Sequence, residues 1–159
     1  SNTSHGGLIY GLYKNTIRRH SGNLRYNQRY FDALAELSTT TDNVRCMLAY
    51  SEDSLAGFLI AALHSNGAYY LHGAINPSLK RSCSTDRLLH EAIEWAKNRG
   101  VESFNFMASP ADQQSLIKYK EKWGGTTKQQ ANYQFPIKPF QATIFNWAMP
   151  IYRRLINFI

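Results

Sequence analysis

Apolar positions along this chain change their spacing as it proceeds, and each spacing implies an element. Residues 8–20, "LIYGLYKNTIRRH", place Leu8, Leu12 and Ile17 on one side and end on Arg18 and Arg19, which suits the negative end of a helix. Residues 27–38, "NQRYFDALAELS", repeat Tyr30, Phe31, Leu34 and Leu37 at helical spacing, with Asn27 as N-cap. The pattern then shortens. "VRCMLAYS" (44–51), "LAGFLIAALHS" (55–65) and "AYYLHGA" (68–74) are strand-like, the second apolar enough to lie centrally in a sheet. Asn66-Gly67 between two apolar runs is a strong hairpin signal, so the three strands form an antiparallel meander.

Helical spacing returns over 84–99, with Leu88, Leu89, Ala92, Ile93 and Ala96 on one stripe, Asp86 in the first turn and Gly100 as the stop. "VESFNFMA" (101–108) alternates as a strand, and "ADQQSLIKYKEKW" (111–123) is a helix closed by Gly124-Gly125. "TKQQANYQF" (127–135) predicts a further strand, with Tyr133 as a core or sheet residue. After Pro136 and Pro139, "FQATIFNWAMPIYRRLINFI" is an apolar helix bent at Pro150. The expected order is α-α-β-β-β-α-β-α-β-α, an α/β (α+β) domain.

Composition narrows the picture modestly. With 159 residues the chain is one domain with room for a proper core. No apolar run reaches the ~18–20 residues of a membrane span, and the opening "SNTSHGG" is polar, unlike a secretory leader. Cys46 and Cys83 are far apart, which argues against a disulfide scaffold or a cysteine zinc site and suits a reducing cytoplasm. No His/Cys/Asp cluster has metal-ligand spacing, so no metal is expected, and there is neither a P-loop nor a nucleophile elbow. A net charge of +7 favours polyanionic partners such as nucleic acid, phosphorylated small molecules or anionic lipid, but it is spread along the chain.

Four stretches together carry a family resemblance over roughly residues 15–135: "SLAGFLIAALHSNGAYYLHGA", "LLHEAIEWAKNRGVESFNFMAS", "IKYKEKWGG" and "IRRHSGNLRYNQRYFDAL". In order and spacing they resemble a GNAT-type acyltransferase domain, and more narrowly its FemAB-like or BioF2-like branch. The resemblance implies a mixed, mostly antiparallel sheet flanked by helices, spanning 8–136. The helix of 137–159 then packs on that domain or on a partner. Two departures stand out. Asn105 occupies a position where the family commonly has Asp, and Met107-Ala108 replace a second Gly. A FemAB-like protein also has a second GNAT-like half, so the chain reads as the C-terminal half of a longer protein.

The resemblance implies acyl transfer from acyl-CoA, or from an aminoacyl-tRNA, to an amine or hydroxyl acceptor. That acceptor would be a small molecule or a cell-wall or polysaccharide precursor, in a protein of the cytoplasm, with membrane-surface contact through 140–159 as a lesser expectation. The donor would lie where the third strand meets the following helix. Gly73 and Ala74 would line it, and Lys80, Arg81, Ser82, Ser84 and Thr85 would meet its phosphates. An ordinary helix cap by Ser84 or Thr85 with solvated cations explains the same residues.

Lys120 takes the place of a general-acid Tyr in related enzymes and would stabilise an oxyanion or donate a proton. Among Lys118 and Lys122 it also reads as part of a solvated face. His72 is a candidate base that should share a face with Tyr70 at i, i+2. Asn105 and Ser109 end their strand and would hydrogen-bond the acceptor, with Tyr70 beside them. The rival reading is a non-catalytic GNAT-like binding module that has lost its donor site.

Overall fold

The structure, a computed structural model, describes residues 5–82, 84–131, 133 and 135–156, without the side chains of 80–82, 84 and 153–156. Among these residues the order is α1 (His5–Arg19), α2 (Gln28–Thr40), β1 (Val44–Ser51), β2 (Ser54–His64), β3 (Gly67–Ile75), a short 3-10 helix (Pro77–Ser82), α3 (Ser84–Lys97), β4 (Ser103–Asn105), α4 (Gln114–Lys122) and α5 (Pro139–Ile156). Residues up to Gly125 form one compact unit, and Thr126–Ile159 a second.

In the first unit one sheet runs β1-β2-β3-β4, antiparallel except for the parallel β3/β4 pair that α3 connects. β2 is apolar at every central position because both of its faces are covered. Phe58 and Ile60 meet Ile9, Leu12 and Tyr13 of α1 and Phe31 and Leu34 of α2. Leu59 and Ala61 meet Leu88, Leu89 and Ala92 of α3, with Tyr119 and Trp123 of α4 at the margin. The largest fully buried side chains among the described residues are Phe31, Phe58, Ile9, Ile60 and Leu89. At ~1.5–3 kcal/mol each, such groups dominate the driving force for folding.

The predicted caps and stops largely form. The Asn27 side chain accepts from the Tyr30 N–H at 3.2 Å and starts α2. Gly100 and Gly124 follow their helices at φ 72° and 80°, the left-handed conformation that glycine tolerates best. The hairpin forms one residue earlier than the sequence suggests: Ser65 and Asn66 make the turn, with Ser65 at φ 50°, and Gly67 already belongs to β3.

Two expectations fail. The described residues of 127–135 form no strand, and Tyr133 is 78% exposed rather than a core or sheet residue. Residues 132 and 134 of that stretch lie outside the described residues. The strand expected over 101–108 shrinks to Ser103–Asn105, because the groups that would extend it are tied elsewhere. In the second unit, α5 runs on through Pro150 to Ile156.

Candidate active site

The parallel pairing of β3 with β4 lasts three residue pairs: Gly67 with Ser103, Ala68 with Phe104 and Tyr69 with Asn105. β3 then continues for six residues, 70–75, with β2 on one side and no described strand on the other. A slot therefore opens at the sheet's C-terminal end, edged by β3 backbone. At its end Asn76 turns the chain. Its side chain accepts from the Ser78 N–H at 3.1 Å, its carbonyl accepts from the Leu79 N–H at 3.1 Å, and the 3-10 helix delivers the chain to α3.

On the β4 side, side chains hold the backbone away from β3. The Asn105 side-chain Oδ1 accepts from the Met107 N–H at 2.8 Å. Lys120 Nζ donates to the Phe106 carbonyl at 2.8 Å, the Met107 carbonyl at 3.1 Å and Ser109 Oγ at 2.7 Å. These backbone groups are ones a longer β4 would commit to a ladder. Met107 itself sits at φ 59°, where a strand cannot continue. Partial burial lowers the Lys120 pKa, while the two carbonyls and Ser109 Oγ together can accept all three protons of its ammonium form.

β3 carries a bulge where its register against β2 shifts between Ile60 and Ala61, so that Tyr70 faces Ala61 and His72 faces Ile60. Leu71 is the additional residue. The expected common face for Tyr70 and His72 is thereby broken, because the bulge turns one of them over. Tyr70 packs with the α3-side cluster, and burial pushes its pKa up to about 12. A Cβ on Gly73 would land on the Tyr70 hydroxyl, so glycine is what lets that ring lie along the strand.

His72 lies on the opposite face, among Tyr13, Tyr26, Tyr30 and Phe31, the nearest ring centroid being that of Tyr26 at 5.0 Å. Its Nε2 and the Tyr30 hydroxyl are 2.9 Å apart. Burial lowers the His72 pKa and raises that of Tyr30, so the imidazole is neutral at pH 7 and able to take up a proton.

Tyr119 of α4 donates to Asp86 Oδ1 at 2.9 Å, and Lys122 approaches Asp86 Oδ2 at 3.8 Å. These contacts fasten α4 to the first turn of α3 and offset the Asp86 charge there. Burial, then the Asp86 hydrogen bond, raises the Tyr119 pKa strongly; the buried Trp123 indole N–H lies by that hydroxyl and offsets part of the rise, without reaching hydrogen-bond geometry.

The sequence-derived residues with described side chains thus fall into four places. Lys120, Ser109 and Asn105 meet at the end of β4. Tyr70 and Gly73 lie on the α3 face, whereas His72 and Ala74 lie on the α1/α2 face. Thr85 is half-buried in the first turn of α3, while the side chains of Lys80, Arg81, Ser82 and Ser84 lie outside the described residues. Sequence reasoning missed Tyr30 and Tyr119 as polar partners. Tyr30 belongs to the apolar stripe of α2 and Tyr119 precedes Lys120, and no local signal marks either hydroxyl as engaged. Among the described residues no group of three or more His, Cys, Asp or Glu could hold a metal ion.

Three antiparallel strands followed by a helical crossover and a short parallel strand define a mixed α/β fold. The chain belongs to the acetyltransferase (GNAT) domain family, whose model matches residues 8–121. No curated protein matches it. Among solved structures it is similar to the aminoglycoside N-acetyltransferase AAC(6')-Iy in complex with CoA, at 16% identity and TM-score 0.66, covering 86% of this chain and 91% of that one. It is also similar to a possible acetyltransferase from Clostridium difficile 630, at 8% identity and TM-score 0.65, covering 86% and 94%. A third is an aminoglycoside acetyltransferase from an uncultured soil metagenomic sample in complex with sisomicin, at 14% identity and TM-score 0.61, covering 82% and 87%. At these identities the likeness is one of fold.

Proposed function

We propose that this protein is an acyl-CoA-dependent acyltransferase that acylates an amine or hydroxyl of a small-molecule acceptor. The observation that carries the reading is the slot. Six residues of β3 run unpaired on one edge towards the N-terminus of α3. That edge suits the amide groups of an extended donor arm, and the helix N-terminus suits its pyrophosphate. Thr85, and the hydroxyls and cations of Lys80, Arg81, Ser82 and Ser84, are the donors this reading assigns to the phosphates, with Gly73 and Ala74 contributing backbone. Family membership and structural neighbours that include a CoA complex support it.

The chemistry then runs as follows. The acceptor nitrogen or oxygen attacks the thioester carbonyl carbon and gives up its proton. The C–S bond breaks, and the departing thiolate takes a proton. All three Lys120 protons are engaged, so Lys120 acts by position and charge. It fixes Ser109, whose oxygen already accepts and whose own O–H is therefore free to donate to the sulfur. His72, neutral and linked to Tyr30, is the group suited to take up the acceptor's proton. Asn105 keeps the slot open through the Met107 turn, and Tyr70 lines the α3-side wall.

The FemAB-like resemblance adds an aminoacyl-tRNA donor, a cell-wall precursor acceptor and a second GNAT-like half as finer readings of the same site. A binding module without catalysis is the second reading, favoured by the way Lys120 and Asn105 spend their polar groups on the protein itself. Isothermal titration with CoA and acetyl-CoA, on wild type and on Lys80→Ala/Arg81→Ala, tests the proposal. Micromolar binding that the double change weakens by about tenfold or more supports the donor site. No heat from a folded protein with either ligand overturns it.

A further inference from the structure

The second unit carries an apolar surface that the acyl-transfer reading does not use. On α5, Phe140, Ile144, Trp147 and Ile151 recur at spacings of four, three and four and form one stripe. All four are open to solvent, Phe140 at 78% and Trp147 at 73%. Phe145 and Tyr152 widen the stripe and are exposed as well. Residues 126–159 contain Lys128, Lys138, Arg153 and Arg154 and no Asp or Glu, a formal charge of +4 out of the chain's +7.

No described helix is long and apolar enough to cross a membrane. The 18 residues of α5 also span only ~27 Å at 1.5 Å each. A helix with an aromatic-rich apolar stripe, cations and no acidic residue has the chemistry of one that lies in the plane of a lipid interface. Whatever takes this surface has to meet both the apolar stripe and four cations that occur without a single counter-charge. An anionic headgroup layer satisfies both. We propose that residues 126–159 dock the protein on an anionic lipid surface, with α5 lying in the interface and its Phe140–Ile144–Trp147–Ile151 stripe facing the acyl chains.

The test is co-sedimentation of the full chain with vesicles of phosphatidylcholine alone and of equal parts phosphatidylcholine and phosphatidylglycerol. The expected result is binding to the anionic vesicles at least about tenfold tighter than to the neutral ones, weakened when salt rises from about 0.1 M to about 0.5 M. Phe140→Ser/Ile144→Ser/Trp147→Ser should remove it, with near-ultraviolet circular dichroism confirming that the first unit is intact. Should that variant misfold, brominated lipids give an independent reading: they should quench wild-type fluorescence more than that of Trp147→Phe. Equal binding to both vesicle types, binding to neither, or unchanged binding by a folded triple variant each overturn the proposal. So does a stable dimer in sedimentation velocity that ignores vesicles, which would assign the stripe to a second copy.

Discussion

His72 and Lys120 show how much two polar side chains can owe to their surroundings. His72 is half-buried in a box of Tyr13, Tyr26, Tyr30 and Phe31, and its only polar side-chain partner among the described residues is the Tyr30 hydroxyl. Its folded-state pKa lies below the ordinary 6.5 because burial disfavours the charged ring. The unfolded chain therefore binds a proton that the folded chain refuses between the two values. The stability that follows is complete above 6.5 and is lost as pH falls from there through the folded-state pKa.

Urea midpoints measured from about pH 7 down to about pH 5 should fall in wild type and fall less in His72→Gln; equal slopes would mean that His72 is not the titrating group. Tyr30→Phe removes one part-buried hydrogen bond and should cost about 0.5–1.5 kcal/mol in the same assay. Lys120→Met leaves the Phe106 and Met107 carbonyls and Ser109 Oγ without their donor. A loss of about 1–3 kcal/mol is expected, together with reduced acyl transfer. A variant as stable as wild type would show that the three-way contact does not hold the loop.

At the scale of elements, the bulge in β3 and the short β4 shape the candidate site together. The bulge sends Tyr70 to the α3 face and His72 to the α1/α2 face, so one strand offers different chemistry to the two sides of the slot. Gly73 makes this possible by leaving room for the Tyr70 hydroxyl. Gly73→Ala forces a buried aromatic ring to move and should destabilise by about 1–3 kcal/mol. Tyr70→Phe removes the atom that clashes first, so in a double-mutant cycle the two changes should cost less together than the sum of each alone. Strict additivity would mean that the ring does not occupy the space over Gly73. The Tyr119–Asp86 and Lys122–Asp86 contacts fix α4 on the first turn of α3. Helix α4 thereby links the first turn of α3 to the Lys120 loop.

For the molecule as a whole, a ligand that binds only the folded state raises the melting temperature by mass action. Millimolar CoA acting on a site of micromolar affinity is expected to raise Tm by several degrees, read by differential scanning calorimetry. An unchanged Tm would agree with a failed titration and favour the binding-module reading. Lipid binding by residues 126–159 is a separate property, and vesicle co-sedimentation should persist in Lys80→Ala/Arg81→Ala, whose changes lie in the first unit. The ion pair of Arg99 with Asp42 at 2.8 Å lies at the surface and holds the Asp42 carboxyl below its ordinary range. Such an exposed contact should matter little at physiological salt.

The sequence by itself determined the elements whose information is local. Helical stripes placed α1, α2, α3 and α4. Asn27 and Gly100 marked a start and a stop, and the continuous apolar run of β2 identified the central strand. The four matching stretches were enough to place the chain near its family. Only the tertiary structure decided the rest, because those features depend on pairs of residues far apart in the chain. Whether β4 extends is settled by Lys120, from the next helix, taking its carbonyls. Whether Tyr70 and His72 share a face is settled by the register of β3 against β2.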